Sequence, residues 1–343
     1  MEPNLIESNN EQHVQQEEKM NLNIEEEDEF AHIVPKSEVE FHLKVNKSHY
    51  MQNEKVIGFI KLFLLSTHKV SDIIIRLVQD EWFKAEYVEH KAKKVIFETK
   101  VSLDEFFTKK TSTLNKGEYM FPFNFDIPSI SIPHFEYTDQ AIEATISSNI
   151  VVAFEHDKTF YGICPIKIKS GNKEEKKESV AEAQTVVKKW GIVSAGTTEI
   201  KLTSNTPFYK TGDIAEICFG IDNSNGKTTI EKVKLSFFRK ITFYKENTDK
   251  EIYLIREQKL NKAVTEIKCE AGNSIEGLNY VPIEDSKMFY KPGVTPPKNP
   301  TLQPTLDTSL IKCEYYIRAT TKAKEFVLSG SKPRCYLPIE IKN

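Results

Sequence analysis

The residues best equipped for chemistry in this 343-residue chain are its histidines, its five cysteines and its lysine clusters. His42, His49, His68, His90, His134 and His156 are scattered, and none has a Ser or Cys neighbour in a recognisable nucleophile pattern. Cys164, Cys218, Cys269, Cys313 and Cys335 are odd in number, form no CxxC pair and have no histidine at metal-ligand spacing. They read as reduced thiols of an intracellular protein. The glycine patterns that cradle phosphates and the HExxH zinc helix are absent. No catalytic, cofactor or metal site is therefore expected. What remains is charge. Lys91, Lys93 and Lys94, with Lys109 and Lys110 on the following segment, form a basic cluster. Clustered ammonium groups attract phosphates, acidic peptides or anionic headgroups, and they are equally the ordinary dress of a solvated strand face. His90, in Glu89-His90-Lys91, reads as part of such an edge.

Composition limits what can position these groups. Lys plus Arg number 47 and Asp plus Glu 50, a formal charge of −3, which argues against a general nucleic-acid binder. Twenty-one Phe and thirteen Tyr beside only thirteen Gly favour β structure. The longest apolar run, from Val56 to Leu65, is broken by Lys61 and too short to span a bilayer. The N-terminus offers no apolar signal-peptide core, so a cytoplasmic location is expected. The length suits two domains.

Three polar breaks divide the chain. Residues 1–34 hold ten acidic side chains, five of them at Glu25, Glu26, Glu27, Asp28 and Glu29, against Lys19 alone. Their few apolar residues cannot offset chain entropy, so a disordered acidic tail is expected. A Lys- and Glu-rich stretch at 170–178 opens a linker placed at 171–190. A third break at 291–304 carries Pro292, Pro296, Pro297 and Pro300 and reads as an extended loop.

Between the breaks the period is two. Val39, Phe41, Leu43 and Val45 alternate with polar residues, as do Val233, Leu235 and Phe237, and Ile311, Cys313, Tyr315 and Ile317. Such strands bury one face and wet the other, which predicts antiparallel sheets. Leu103 to Thr108 and Thr185 to Trp190 are expected to form short helical turns. The halves also echo each other. Tyr50 to Val56 resembles Tyr209 to Ile214, and Cys164-Pro165-Ile166-Lys167-Ile168 resembles Leu337-Pro338-Ile339-Glu340-Ile341. The fold class expected is all-β: two tandem antiparallel β-sandwiches, residues 35–170 and 191–343, built from one repeated module.

One stretch carries a family resemblance. Gly117-Glu-Tyr-Met-Phe121-Pro122-Phe123-Asn-Phe125-Asp-Ile127-Pro128, then Ile132-Pro133-His134-Phe135, resembles the signature strand of the arrestin N-domain. The entry at Tyr209 to Ile217, the turn at Ile221-Asp222-Asn223 and the strand Ile311 to Tyr316 resemble the arrestin C-domain, so the likeness spans 37–343. The proline has its own physical reason. Pro122 lacks an N–H and belongs on an edge or bulge, while Phe121, Phe123 and Phe125 line a core.

The resemblance implies a non-enzymatic adaptor for membrane-protein cargo tails or sorting machinery in endocytic or endosomal trafficking or signalling, with an anionic lipid surface as a further partner. A retromer-like coat subunit is the alternative within the fold, and an extracellular adhesion sandwich the alternative outside it. Arrestins that read phosphorylated receptors carry a lysine pair on the first strand and a buried Asp/Arg core. Here the first strand reads Glu40-Phe41-His42-Leu43-Lys44, which turns the resemblance toward the α-arrestin-type adaptors. The Pro-Pro-x-Tyr motif of many α-arrestins is absent, and Pro297-x-x-Pro300 is the one segment suited to an SH3 groove. The acidic tail is expected to compete with partners for the Lys91–Lys110 surface.

Overall fold

The computed structural model describes residues 37–85, 87–107, 113–171, 178–189, 193–246, 249–286, 302–324, 327 and 332–342. The acidic tail, the proline loop as far as residue 301, and Lys109 and Lys110 lie outside them.

The strands of the first half are β1 Val39–Val45, β2 His49–Met51, β3 Lys55–Leu64, β4 His68–Lys69, β5 Ile73–Ala85, β6 Val88–Val101, β7 Thr113–Leu114, β8 Gly117–Asp126, β9 Phe135–Thr138, β10 Ile142–Phe154 and β11 Tyr161–Lys169. Those of the second are β12 Ser179–Lys189, β13 Val193–Ser204, β14 Phe208–Tyr209, β15 Ile214–Asp222, β16 Ile230–Tyr244, β17 Ile252–Cys269, β18 Ser274–Pro282, β19 Leu306–Asp307, β20 Ile311–Ala323 and β21 Arg334–Ile341. The protein is all-β. Among the described residues the single helical element is the 3-10 turn Leu103–Glu105, inside one of the two expected turns. The other expectation is corrected: Thr185 to Lys189 belong to β12, inside the stretch expected as a linker. Val186 and Val187 favour extended backbone, and β12 pairs antiparallel with β13 from Ser179 opposite Ser204 to Lys189 opposite Val193.

The repeat is explicit in the topology. The first half packs a sheet ordered β1-β3-β8 against one ordered β2-β11-β10-β5-β6. The second packs β12-β13-β15-β18 against β14-β21-β20-β16-β17. Each has one short parallel pairing, with Tyr50 beside Ile168 and Tyr209 beside Ile341. Register repeats as well: Glu40 faces Phe63 in one half, and Glu199 faces Asp222 in the other. Asn53 and Gly212 both adopt positive φ, 63° and 94°. Each donates its N–H across the turn, Asn53 to the carbonyl of Ile127 and Gly212 to that of Ile283. A left-handed residue is needed at that corner, and Gly or Asn supplies it cheaply. β12 has no counterpart among the described strands of the first half.

The arrestin-like strand is β8, an edge strand, where Pro122 stands opposite Phe59 and leaves no ladder donor missing. Phe121, Phe123 and Phe125 point into the first core with Phe41, Ile60 and Leu62. The second core does not stop at the second sandwich. Phe83, Phe135, Tyr137 and Ile146, at one end of the first half, are continuous with Phe237, Phe243 and Ile311. Burying an aromatic ring of this kind contributes about 1.5–3 kcal/mol, so the two halves are fastened by hydrophobic packing as well as by the polar contacts described next.

Candidate functional site

Lys91, Lys93 and Lys94 lie exposed on edge strand β6. They stand opposite Trp82, Asp80 and Gln79 respectively. Side chains alternate along a strand, so Lys91 and Lys93 share a face while Lys94 turns to the other. Carboxylates are interleaved among them: Lys91 Nζ is 3.2 Å from Glu89 and Lys93 Nζ is 3.6 Å from Asp80. Charged side chains on an edge strand also guard against edge-to-edge pairing. His90 is half-buried at the junction with the second half, its ring tilted against Phe83 at 4.6 Å and edge-on to Tyr253 at 5.2 Å. This differs from the solvated edge expected of it, because the end of the β5–β6 hairpin is covered by the second sandwich.

A second basic surface lies on the outer face of the β20-β16-β17 ladder. One row across it reads Arg318, Ser236, Lys262, and the next reads Tyr316, Phe238, Lys259. Lys234 follows, opposite Thr320 and Val264. The floor is aromatic. Phe238 and Tyr316 stack with centroids 5.2 Å apart, and Tyr336 meets Tyr316 edge-on at 5.6 Å. The Arg318 guanidinium lies 4.1 Å over the Phe238 ring, a cation–π contact that leaves its Nε buried without a hydrogen-bond partner. The Tyr316 hydroxyl donates to Glu257 at the margin. Burial, then the charges of Lys259, Lys262 and Arg318, hold the Lys234 pKa below the usual lysine range. Lys259 is lowered the same way, by burial and then by Lys262 and Arg318. Crowded cations over a recessed aromatic floor favour any ligand that brings negative charge.

The halves meet at a polar seam. The buried carboxylate of Glu81, on β5, accepts from the Thr308 hydroxyl, from Ser309 Oγ at 2.7 Å and from the N–H of Leu310 at 3.0 Å. The Glu136 N–H donates to Gln303 Oε1 at 3.0 Å. Arg256 Nε donates to Asp139 Oδ2 at 3.1 Å, and the Tyr137 hydroxyl reaches the same oxygen at 2.9 Å. Burial alone would raise the Asp139 pKa. The N–H groups of Ala141 and Ile142, the Tyr137 hydroxyl and Arg256 outweigh it and bring the carboxyl below its ordinary range. Arg239 is 2 % exposed, beneath Tyr137 whose ring is 5.3 Å away. Its Nη2 donates to Gln258 at 2.8 Å and lies 3.7 Å from the buried Asp285 carboxylate. A charge this deep is sustained only with such partners.

Residues 194–343 match the family model described as Arrestin (or S-antigen), C-terminal domain, which supports an arrestin-domain family. No curated protein matches the chain. The matched stretch holds both the basic aromatic face and the second-half side of the seam.

Sequence reasoning missed both. The signal for Arg239 was present: the alternation Val233, Leu235, Phe237 continues to 239 and places it on the core side. The lysines of β17 gave no such signal, because only strand pairing carries them beside Arg318.

Proposed function

We propose that this chain is a non-enzymatic, cytoplasmic, arrestin-like adaptor that binds membrane-protein cargo or sorting machinery in endocytic or endosomal trafficking or signalling. The observation that carries the reading is the arrestin C-terminal match over 194–343, set on a duplicated body of two sandwiches. Two sheets per half present broad outer faces, and the seam fixes one half against the other, so surfaces on both are held at set positions. A frame of this kind suits an adaptor, which must hold separate binding faces at a set spacing. Among the described residues no group of three or more His, Cys, Asp or Glu is placed to hold a metal ion. Association with an anionic membrane belongs to the same reading, with the exposed Lys91, Lys93 and Lys94 of β6 as its contact on the first half.

Proximity labelling with the full chain tests the reading. Enrichment of membrane-protein tails and trafficking components over a free labelling enzyme is expected. A labelling pattern matching that of the free enzyme contradicts it.

A further inference from the structure

We infer that the outer face of the β20-β16-β17 ladder docks an acidic, aromatic-bearing peptide segment of a partner protein. The inference rests on the adaptor reading only in taking the partner to be a protein. Three observations support it. First, Lys234, Lys259, Lys262 and Arg318 occupy three successive rows of one sheet face, where neighbouring strands lie only about 4.8 Å apart. Carboxylates or phosphates laid along that face meet several cations at once. Second, the floor beneath the cations is aromatic and covered: Phe238 is 6 % exposed because the Arg318 guanidinium lies 4.1 Å over its ring, which holds that cation in place for a ligand. Third, Tyr336 is 47 % exposed at the end of the Phe238–Tyr316–Tyr336 aromatic line. It offers an open ring on which a partner's aromatic side chain packs.

The two charged surfaces also differ in what an acidic segment would have to displace. On β6 an incoming carboxylate competes with Glu89 and Asp80, which already pair with Lys91 and Lys93. On the second-half face Arg318 has a ring as its partner, with no ion pair among the described residues. At Arg318 a ligand carboxylate adds a contact without displacing an ion pair.

The test titrates the full chain with three probes: a peptide alternating Glu and Tyr, a peptide of Glu alone, and vesicles mixing phosphatidylcholine with phosphatidylserine. The Glu-Tyr peptide is expected to bind more tightly than the Glu peptide. K259E/K262E is expected to weaken both peptides by about tenfold or more. Y336S removes the preference for the Glu-Tyr peptide while leaving the Glu peptide unchanged, and because Tyr336 is a surface residue this arm survives even if the double charge reversal fails to fold. Equal binding of the two peptides by wild type and Y336S overturns the aromatic part of the inference. Vesicle binding that depends on Lys259 and Lys262, without peptide binding, overturns the peptide and assigns the face to a membrane. Peptide binding unchanged in a folded K259E/K262E variant overturns the site altogether.

Discussion

The same hairpin serves opposite electrostatic purposes in the two sandwiches. In the first half β5–β6 spreads its lysines over two faces of an edge strand and intersperses them with Asp80 and Glu89. In the second, β16–β17 joins β20 to gather Lys234, Lys259, Lys262 and Arg318 over stacked aromatics. The frame occurs twice, and the charges on its outer faces differ. Density of lysines in sequence is a poor guide to density of charge in space. Three lysines within four residues of one strand are separated by the pleat, while lysines from neighbouring strands are brought together by pairing.

The seam is where the halves depend on each other, and breaking it should have the largest effects. R239A removes the buried cation 3.7 Å from the Asp285 carboxylate and is expected to cost about 3–5 kcal/mol, read as a lower denaturation midpoint. A midpoint within about half a kcal/mol of wild type would mean that Arg239 is not a structural charge. E81A removes the acceptor for three donors from the second half, at about 1–3 kcal/mol. Hydrogen exchange should rise at residues 308–310 while the first core stays protected. Uniform exchange across both halves would show that Glu81 does not fasten them.

Acid should loosen the same place. The Asp139 carboxyl has its folded-state pKa below the unfolded value. Its stabilising share is therefore complete above about pH 4 and is lost as pH falls through the folded value. D139N should lower stability at neutral pH and flatten the fall in acid. An acid limb as steep as that of wild type would assign the dependence to other carboxylates.

Much of the frame was legible because it is local. Period-two alternation in β1, β16 and β20, the Phe121-Pro122-Phe123 strand and the paired Pro165 and Pro338 endings all depend on neighbours in sequence. Thr185 to Lys189 went astray for the same reason. The short run lacks clear alternation, and its extended form is imposed by β13. The site was less legible because its parts come from three strands whose pairing is set by the whole sandwich. Lys262 and Arg318 are adjacent only because Ser236 lies between them in one row. Arg239 is the exception, a charge whose place in the alternation gave it away.

The smallest effects, about 1 kcal/mol per exposed charge, decide which half carries the docking surface. The direct measurement is one salt-series titration of an acidic peptide against wild type, K91E/K93E/K94E and K234E/K259E/K262E. The second-half variant should lose most of the affinity and most of the salt dependence, and the first-half variant should retain both. The reverse pattern, or equal losses from both variants, would contradict an adaptor whose acidic partners dock on its C-terminal sandwich.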